Sequence, residues 1–237
     1  MYTPLSTVYK PLFNKDSLDS SDLIYCDNHL LVVNKSAGLL VQGDKSGDPS
    51  LLDYARGYLK ERYNKPGNVY VGLVHRLDRP VSGVIALART SKSASRLSGQ
   101  FRDRTVRKIY HALVEGELPE EGHWLDKIVR EGVTSRITES TEALRAELSF
   151  RRLNYIDGIS RVEIDLATGR HHQIRVQFSS RGYPILGDFR YGSKVKFGEK
   201  TLALHARSLT IIHPTKKEEM TFLAEYPESW ENFTKIK

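Results

Sequence analysis

The stretch VHRLDRPVSG, residues 74–83, lies between two apolar runs, VYVGLV and VIALA. It gathers His75, Arg76, Asp78 and Arg79, a lone carboxylate among cations, where the chain leaves one expected strand and enters the next. An Asp at such a junction ordinarily organises the turn through its own backbone, and Pro80 and Gly83 are common turn residues. Taken alone the stretch favours that plain explanation, because most loop residues carry no function. The rest of the chain has to decide.

A chain of 237 residues with 39% hydrophobic content can bury a sizeable core, as one large domain or two closely joined ones. The formal charge of +7 points to a polyanionic partner, with nucleic acid foremost. A single cysteine, Cys26, excludes an internal disulfide and a cysteine-built metal site and suits a reducing compartment, where it packs as a small core residue. The N-terminus has no apolar run of signal length, and no segment approaches the roughly 20 apolar residues of a membrane span, so a cytoplasmic protein with no membrane contact is expected.

Along the chain, residues 1–21 are polar and broken by proline and read as a tail. LIYC and HLLVVNK flank an Asp-Asn turn and predict a hairpin. Ser50 and Asp53 have the spacing of an acidic capping box at the start of SLLDYARGYLKERYN, whose Leu51, Leu52, Ala55, Tyr58 and Leu59 form one helical stripe. VYVGLV and VIALA read as strands, SKSASRLSGQFRD as a helix, and VRKIYHALVEG as a strand with Lys108, Tyr110 and Ala112 on one face. Further strands are expected at ALRAELSFRRLNY, SRVEIDLAT, TLALHARSLTII and MTFLAEY, and a helix over HHQIRVQFSS. No repeat or low-complexity linker interrupts residues 22–237, which predict one α+β domain with a mainly antiparallel sheet.

Three more basic stretches join the opening one. TGRHHQIRVQF holds Arg170, His171, His172 and Arg175, with His171 and Arg175 on one helix face at i and i+4. Adjacent histidines point to different sides of a helix and no Glu or Cys stands at a ligand spacing, so no metal is expected. An Arg offered to a carboxylate or a phosphate is the simpler reading. FRDRTVRKIY is the third stretch; in the fourth, DFRYGSKVKF, Phe189, Tyr191 and Phe197 alternate with Arg190, Lys194 and Lys196. Cations interleaved with rings suit an RNA strand, the cations on phosphates and the rings under unstacked bases. Any one stretch alone is a solvated charged face. Four in a net basic chain argue for RNA.

HRLDRPVSG resembles the signature of the RluA family of RNA pseudouridine synthases. Family-like stretches follow in the expected order: YCDNHLLVVNKSAGLLV, RKIYHALVEG, ATGRHHQIRVQF, RGYPILGDFRYG and LALHARSLTIIHP, covering nearly all of the chain from Asp22 onward. The resemblance implies the pseudouridine synthase α+β fold, with a mainly antiparallel mixed sheet, flanking helices and an active-site cleft. It makes Asp78 the catalytic carboxylate, Tyr110 the active-site tyrosine, Arg175 the ion-pair partner of Asp78, and Arg76 a residue that helps displace the target nucleotide. His75, Arg79, Lys108, Arg170 and Arg190 join Arg76 as expected RNA contacts. Neither cofactor nor metal is implied, the partner is ribosomal or transfer RNA, and a monomer is the expectation. The family usually has Pro, Thr and His where Ser36, Val81 and Gln177 stand. The chain has no room before Asp22 for the small N-terminal RNA-binding module that many members carry, so substrate choice is expected to rest on the catalytic domain.

The implied reaction explains the residue types. Uridine becomes pseudouridine when the bond from sugar to base nitrogen breaks and carbon 5 of the same base bonds to the sugar. A carboxylate with an ordinary pKa near ~3.9 is ionised at neutral pH, and paired hydrogen bonds from a guanidinium fix its direction. A Tyr ring can stack on the uracil, and its oxygen could take part in proton removal. A uridine inside a helix or folded loop is unreachable until it flips out, at a cost of a few kcal/mol. A non-catalytic RNA-binding protein is the alternative, but it has no need of Asp78, Tyr110 and Arg175 together. A hydrolytic glycosidase wants two carboxylates flanking the bond, and HRLD supplies one.

Overall fold

The structure, a computed structural model, describes Leu18 and residues 22–199 and 201–234. The tail expected over residues 1–21 lies outside the described residues except for Leu18, which is buried in the core. Strands β1 (Leu23–Cys26) and β2 (Leu30–Lys35) form the expected antiparallel hairpin. Its turn is closed by Asp27, whose carboxylate accepts from the backbone N–H groups of His29 and Leu30, both at 2.8 Å. Helix α1 (Leu51–Arg62) begins as the box spacing predicts: Asp53 accepts from the Ser50 backbone N–H at 3.0 Å and from its hydroxyl at 2.6 Å. Leu51, Ala55 and Leu59 of the predicted stripe are buried.

The run VYVGLV forms a strand only at β3 (Gly72–Leu73), shorter than expected. The cause is the crowded edge of its neighbour β4 (Ser82–Ala88). β3 pairs with Leu87 and Ala88 at one end of that edge, while β10 (Leu204–Ile212) pairs in parallel with Ser82 and Gly83 at the other. Residues 74–81 leave the sheet between these two partners and form the loop that carries Asp78. Gly83 is required there: it has φ +118°, and a Cβ on it would sit 2.3 Å from the carbonyl oxygen of Ala206 on β10.

Helix α2 (Ser91–Arg102) is capped by Thr90, whose hydroxyl accepts from the Ser93 N–H at 3.1 Å. Strands β5 (Arg107–Glu115), β8 (Leu144–Ile156), β9 (Ile159–Asp165) and β11 (Glu219–Leu223) stand where the pattern places them. Strands β6 (Glu121–Glu131) and β7 (Thr134–Ile137) do not follow from the pattern. Their faces are largely solvated, so charged and polar side chains hide the apolar alternation that marks a half-buried strand. Among the described residues, eleven strands form one sheet in the order β1-β2-β4-β10-β5-β9-β8-β6-β7, with β11 on β10 and β3 on β4, and every pairing except β4 with β10 is antiparallel.

Helix α3 (Gln173–Ser179) is shorter than HHQIRVQFSS suggests, because His171 and His172 precede it and His172 takes a left-handed backbone, φ +54°. Phe178 seats the helix on the sheet, its ring 4.7 Å from Trp124 and 5.8 Å from Phe150. A short C-terminal helix, α4 (Glu231–Thr234), follows. No helix among the described residues is long and apolar enough to cross a membrane.

Candidate active site

Asp78 stands at the turn of the loop, its carbonyl accepting from the Val81 N–H at 3.0 Å. The loop is anchored from beneath by Lys35, a fully buried side chain whose Nζ donates to the carbonyls of Ser36 at 2.9 Å, Leu39 at 3.0 Å and Arg79 at 3.3 Å. Burial pushes the Lys35 ammonium down to about 7, the negative charge of Asp78 opposing the shift and Arg79 adding to it. Arg79, expected as an RNA contact, donates to the Gly38 carbonyl at 3.0 Å and pairs with Asp48 at 2.8 Å, so it also ties the loop to the 38–48 segment.

Arg175 reaches Asp78 from α3, with Nη1 3.2 Å from Oδ2. The two-pronged contact expected between these residues is made elsewhere: Nε and Nη2 of Arg175 engage Asp188 at 2.7 and 2.8 Å, and Asp78 receives one hydrogen bond. Asp188 is buried, so Arg175 spans a deep carboxylate and a shallower one. Burial works against the Arg175 charge, but Asp188 first and Asp78 second outweigh it and hold the guanidinium above its usual range. Its far face lies over the Tyr191 ring, 5.0 Å from the centroid.

The second neighbour of Asp78 is His172, not His171, because the left-handed backbone at His172 turns the chain before α3 begins and removes the expected i, i+4 pairing of His171 with Arg175. The His172 Nε2 is 3.4 Å from Asp78 Oδ2, and its Nδ1 is 2.9 Å from the Tyr191 hydroxyl. Burial, aided by the Arg175 charge, drives His172 far below the ordinary histidine range despite Asp78, so the ring is neutral. The Tyr191 oxygen accepts from the Ser135 N–H at 2.8 Å, and its hydroxyl faces both His172 Nδ1 at 2.9 Å and the Ser135 carbonyl at 3.4 Å. His171 stacks on His172 with centroids 3.8 Å apart and binds Ser135 Oγ through Nδ1 at 2.9 Å.

Tyr110 arrives from β5, where it faces Ala206 of β10 and Ile164 of β9. Burial first and the Asp78 charge second raise its phenol above the usual tyrosine range, so it carries its proton at neutral pH. Asp78, Tyr110, Arg175, Leu166, Ile174 and Leu204 line an inner cavity of 270 Å³, together with Arg76 and Arg170. An outer cavity of 680 Å³ shares Arg76, Asp78, His171, His172 and Arg175 with the inner one and adds Arg79, Phe189, Arg190 and Lys196. Asp78 thus stands where the two cavities meet, with Leu166, Ile174 and Leu204 among the walls of the inner one and cations on both.

Of the expected RNA contacts, Arg76 is exposed on both cavities. Arg170 and Arg190 line one each, while donating to the carbonyls of Arg145 at 2.9 Å and Val133 at 3.0 Å. Two expected contacts lie apart from the cavities. His75 turns inward, stacks on Phe101 at 4.4 Å, accepts from the Ala86 N–H at 2.9 Å and is pushed by burial down to about 3. Lys108 points its Nζ toward the Thr168 carbonyl at 3.4 Å, and burial lowers it to about 8. Lys35, His172 and Asp188 have no assigned part in the reading of the sequence. The only signal at Lys35 is a charge ending an apolar strand, and at Asp188 an acid after a glycine in a basic stretch.

A family model described as RNA pseudouridylate synthase matches residues 29–180. The ribosomal large subunit pseudouridine synthase D of Zymomonas mobilis is 31% identical over 96% of this chain and 76% of that protein. The dual-specificity RNA pseudouridine synthase RluA of Haemophilus influenzae is 36% identical over 86% of this chain and 92% of that protein. Among solved structures, human RNA pseudouridylate synthase domain containing 4 superposes with a TM-score of 0.75 at 26% identity, covering 89% of this chain and 92% of that one.

Proposed function

The chain belongs to the RNA pseudouridylate synthase family, and we propose that it isomerises particular uridines of structured ribosomal or transfer RNA with Asp78 as its catalytic carboxylate. The observation that carries this reading is the position of Asp78, fixed by Arg175 and His172 where the inner and outer cavities meet. In this reading the RNA backbone lies along the outer cavity on Arg76, Arg190 and Lys196, and the target uridine flips into the inner one, Arg76 helping to displace it. Phosphate contacts offset the few kcal/mol that unstacking costs.

Within the inner cavity the bond from the ribose to N1 breaks, the uracil turns, and C5 bonds to the same ribose carbon. The proton on C5 departs, N1 gains one, and the mass of the RNA is unchanged. Asp78 acts at the reacting nucleotide, held in direction by the hydrogen bond from Arg175, with the His172 ring beside it. Tyr110 lies against the uracil; since its phenol is held in the protonated form, it takes up the C5 proton as its own proton goes to the N1 that the isomerisation leaves unprotonated, so that the exchange balances. Leu166, Ile174 and Leu204 keep the detached uracil from water. Hydrolysis of the same bond needs a second carboxylate to activate water. Asp188 is bound through both oxygens to Arg175 and buried, which argues against that reading.

The test is a map of pseudouridines in a strain deleted for this gene, rescued with the wild-type chain or with Asp78→Asn. Sites that return with the wild type and stay absent with the variant are expected. Restoration by the variant overturns the assignment of Asp78; RNA that loses bases instead of gaining pseudouridine overturns isomerisation.

A further inference from the structure

We propose that Phe189 is a stacking platform for the RNA base that neighbours the target uridine, an inference that rests on the function proposed above and names one contact of its substrate. The stretch DFRYGSKVKF contains three aromatic rings among cations, and the fold separates them. Tyr191 is engaged by Arg175 and His172. Phe197 is buried, its ring 6.1 Å from that of Trp230. Phe189 is 61% exposed and lies on the wall of the outer cavity, and among the described residues it makes no ring or cation contact.

The backbone that carries this exposed ring is tied into a turn. Asp188 is fixed to Arg175, and its carbonyl accepts from the N–H groups of Tyr191 at 3.0 Å and Ser193 at 3.1 Å, closing a tight turn around Phe189. Gly187, at φ +81°, lets the preceding strand of chain press against Thr201, whose carbonyl oxygen would be 2.6 Å from a Cβ there. Asp188 is buried against Arg175 at the base of the outer cavity, and Phe189 beside it is exposed on the same cavity. A large apolar ring left in water is unfavourable, and one on a fixed support loses little freedom when it is covered. Arg76, Arg190 and Lys196 share the same wall and supply phosphate partners at its edge. A base stacked between phosphate contacts is the chemistry that this combination of a flat apolar face and flanking cations accepts.

The experiment measures anisotropy of a 5′-fluorescein dodecauridylate titrated with wild type, Phe189→Ala, Phe189→Leu and Phe189→Trp at two salt concentrations, with thermal unfolding confirming that each variant folds. Stacking is worth about 5- to 150-fold in affinity per base. Phe189→Ala and Phe189→Leu should both fall into that range, Phe189→Trp should bind at least as tightly as wild type, and the salt slope should be the same in all four, since no charge changes. Affinity of Phe189→Ala within twofold of wild type overturns the proposal, as does full affinity in Phe189→Leu, which would mean simple apolar contact, or absence of oligouridylate binding by the wild type. Binding is read without turnover, so failure here is distinct from failure of the isomerase assignment, which the pseudouridine map reports.

Discussion

Asp188 takes Nε and Nη2 of Arg175, at 2.7 and 2.8 Å, and leaves Nη1 to reach Asp78 at 3.2 Å. One guanidinium therefore links a buried carboxylate to an accessible one, and the direction of the second depends on the first. Breaking a buried ion pair by neutralising one partner typically costs about 3–5 kcal/mol. Asp188→Asn should lower unfolding free energy in denaturant by that order and slow single-turnover isomerisation. Arg175→Lys keeps a charge but cannot span both carboxylates, and should lower the rate more than RNA affinity. Weakened binding with an unchanged rate would make Arg175 a phosphate contact.

Asp78→Asn preserves shape and removes the charge at the junction of the two cavities. Pseudouridine formation should be abolished while RNA affinity stays within about tenfold, because phosphate contacts dominate binding. Turnover by the purified variant, followed by tritium release from C5 of labelled uridine, is the outcome that defeats the assignment.

Tyr110→Phe keeps the ring and removes a hydroxyl that is protonated at neutral pH. If that hydroxyl assists removal of the C5 proton, tritium release should slow by about a hundredfold to ten-thousandfold with RNA binding intact. Wild-type release would leave the ring with packing alone.

Lys35 is lowered to about 7 in the folded protein, against about 10.4 in an unfolded chain. Between these values the unfolded chain binds more protons than the folded one, so the contribution of Lys35 to stability rises with pH across this window. From pH 7 to 9 the unfolding free energy of wild type relative to Lys35→Met should increase, by at most about 1.4 kcal/mol per pH unit. A difference that stays flat would mean that the three carbonyls around Nζ keep the ammonium charged.

The cations on the outer cavity predict an RNA affinity that falls steeply with salt, with a log-log slope of several neutralised phosphates. Arg76→Ala should reduce that slope by about one and slow the chemical step as well, since Arg76 lines both cavities. A flat salt dependence would rule out a broad phosphate footprint.

What the sequence determined by itself was the local and the ordered. The β1–β2 hairpin, the cap of α1 and the alternation of β5 rest on neighbours in the chain, and the α+β class and family rest on motifs whose order survives folding. Tertiary structure alone decided which charges face one another. Arg175 divides itself between Asp188, thirteen residues on, and Asp78, ninety-seven residues back. His172 replaces His171 because one residue turns left-handed before α3, and His75 faces Phe101 although Arg76 beside it lines both cavities. Even β6 and β7 became legible only through their partners. The physical reason is common to all of these. Periodicity and capping are short-range preferences written in adjacent residues, whereas a buried charge is placed by whatever opposite charge the packing of distant elements brings within about 4 Å, where the interaction outweighs the cost of leaving water.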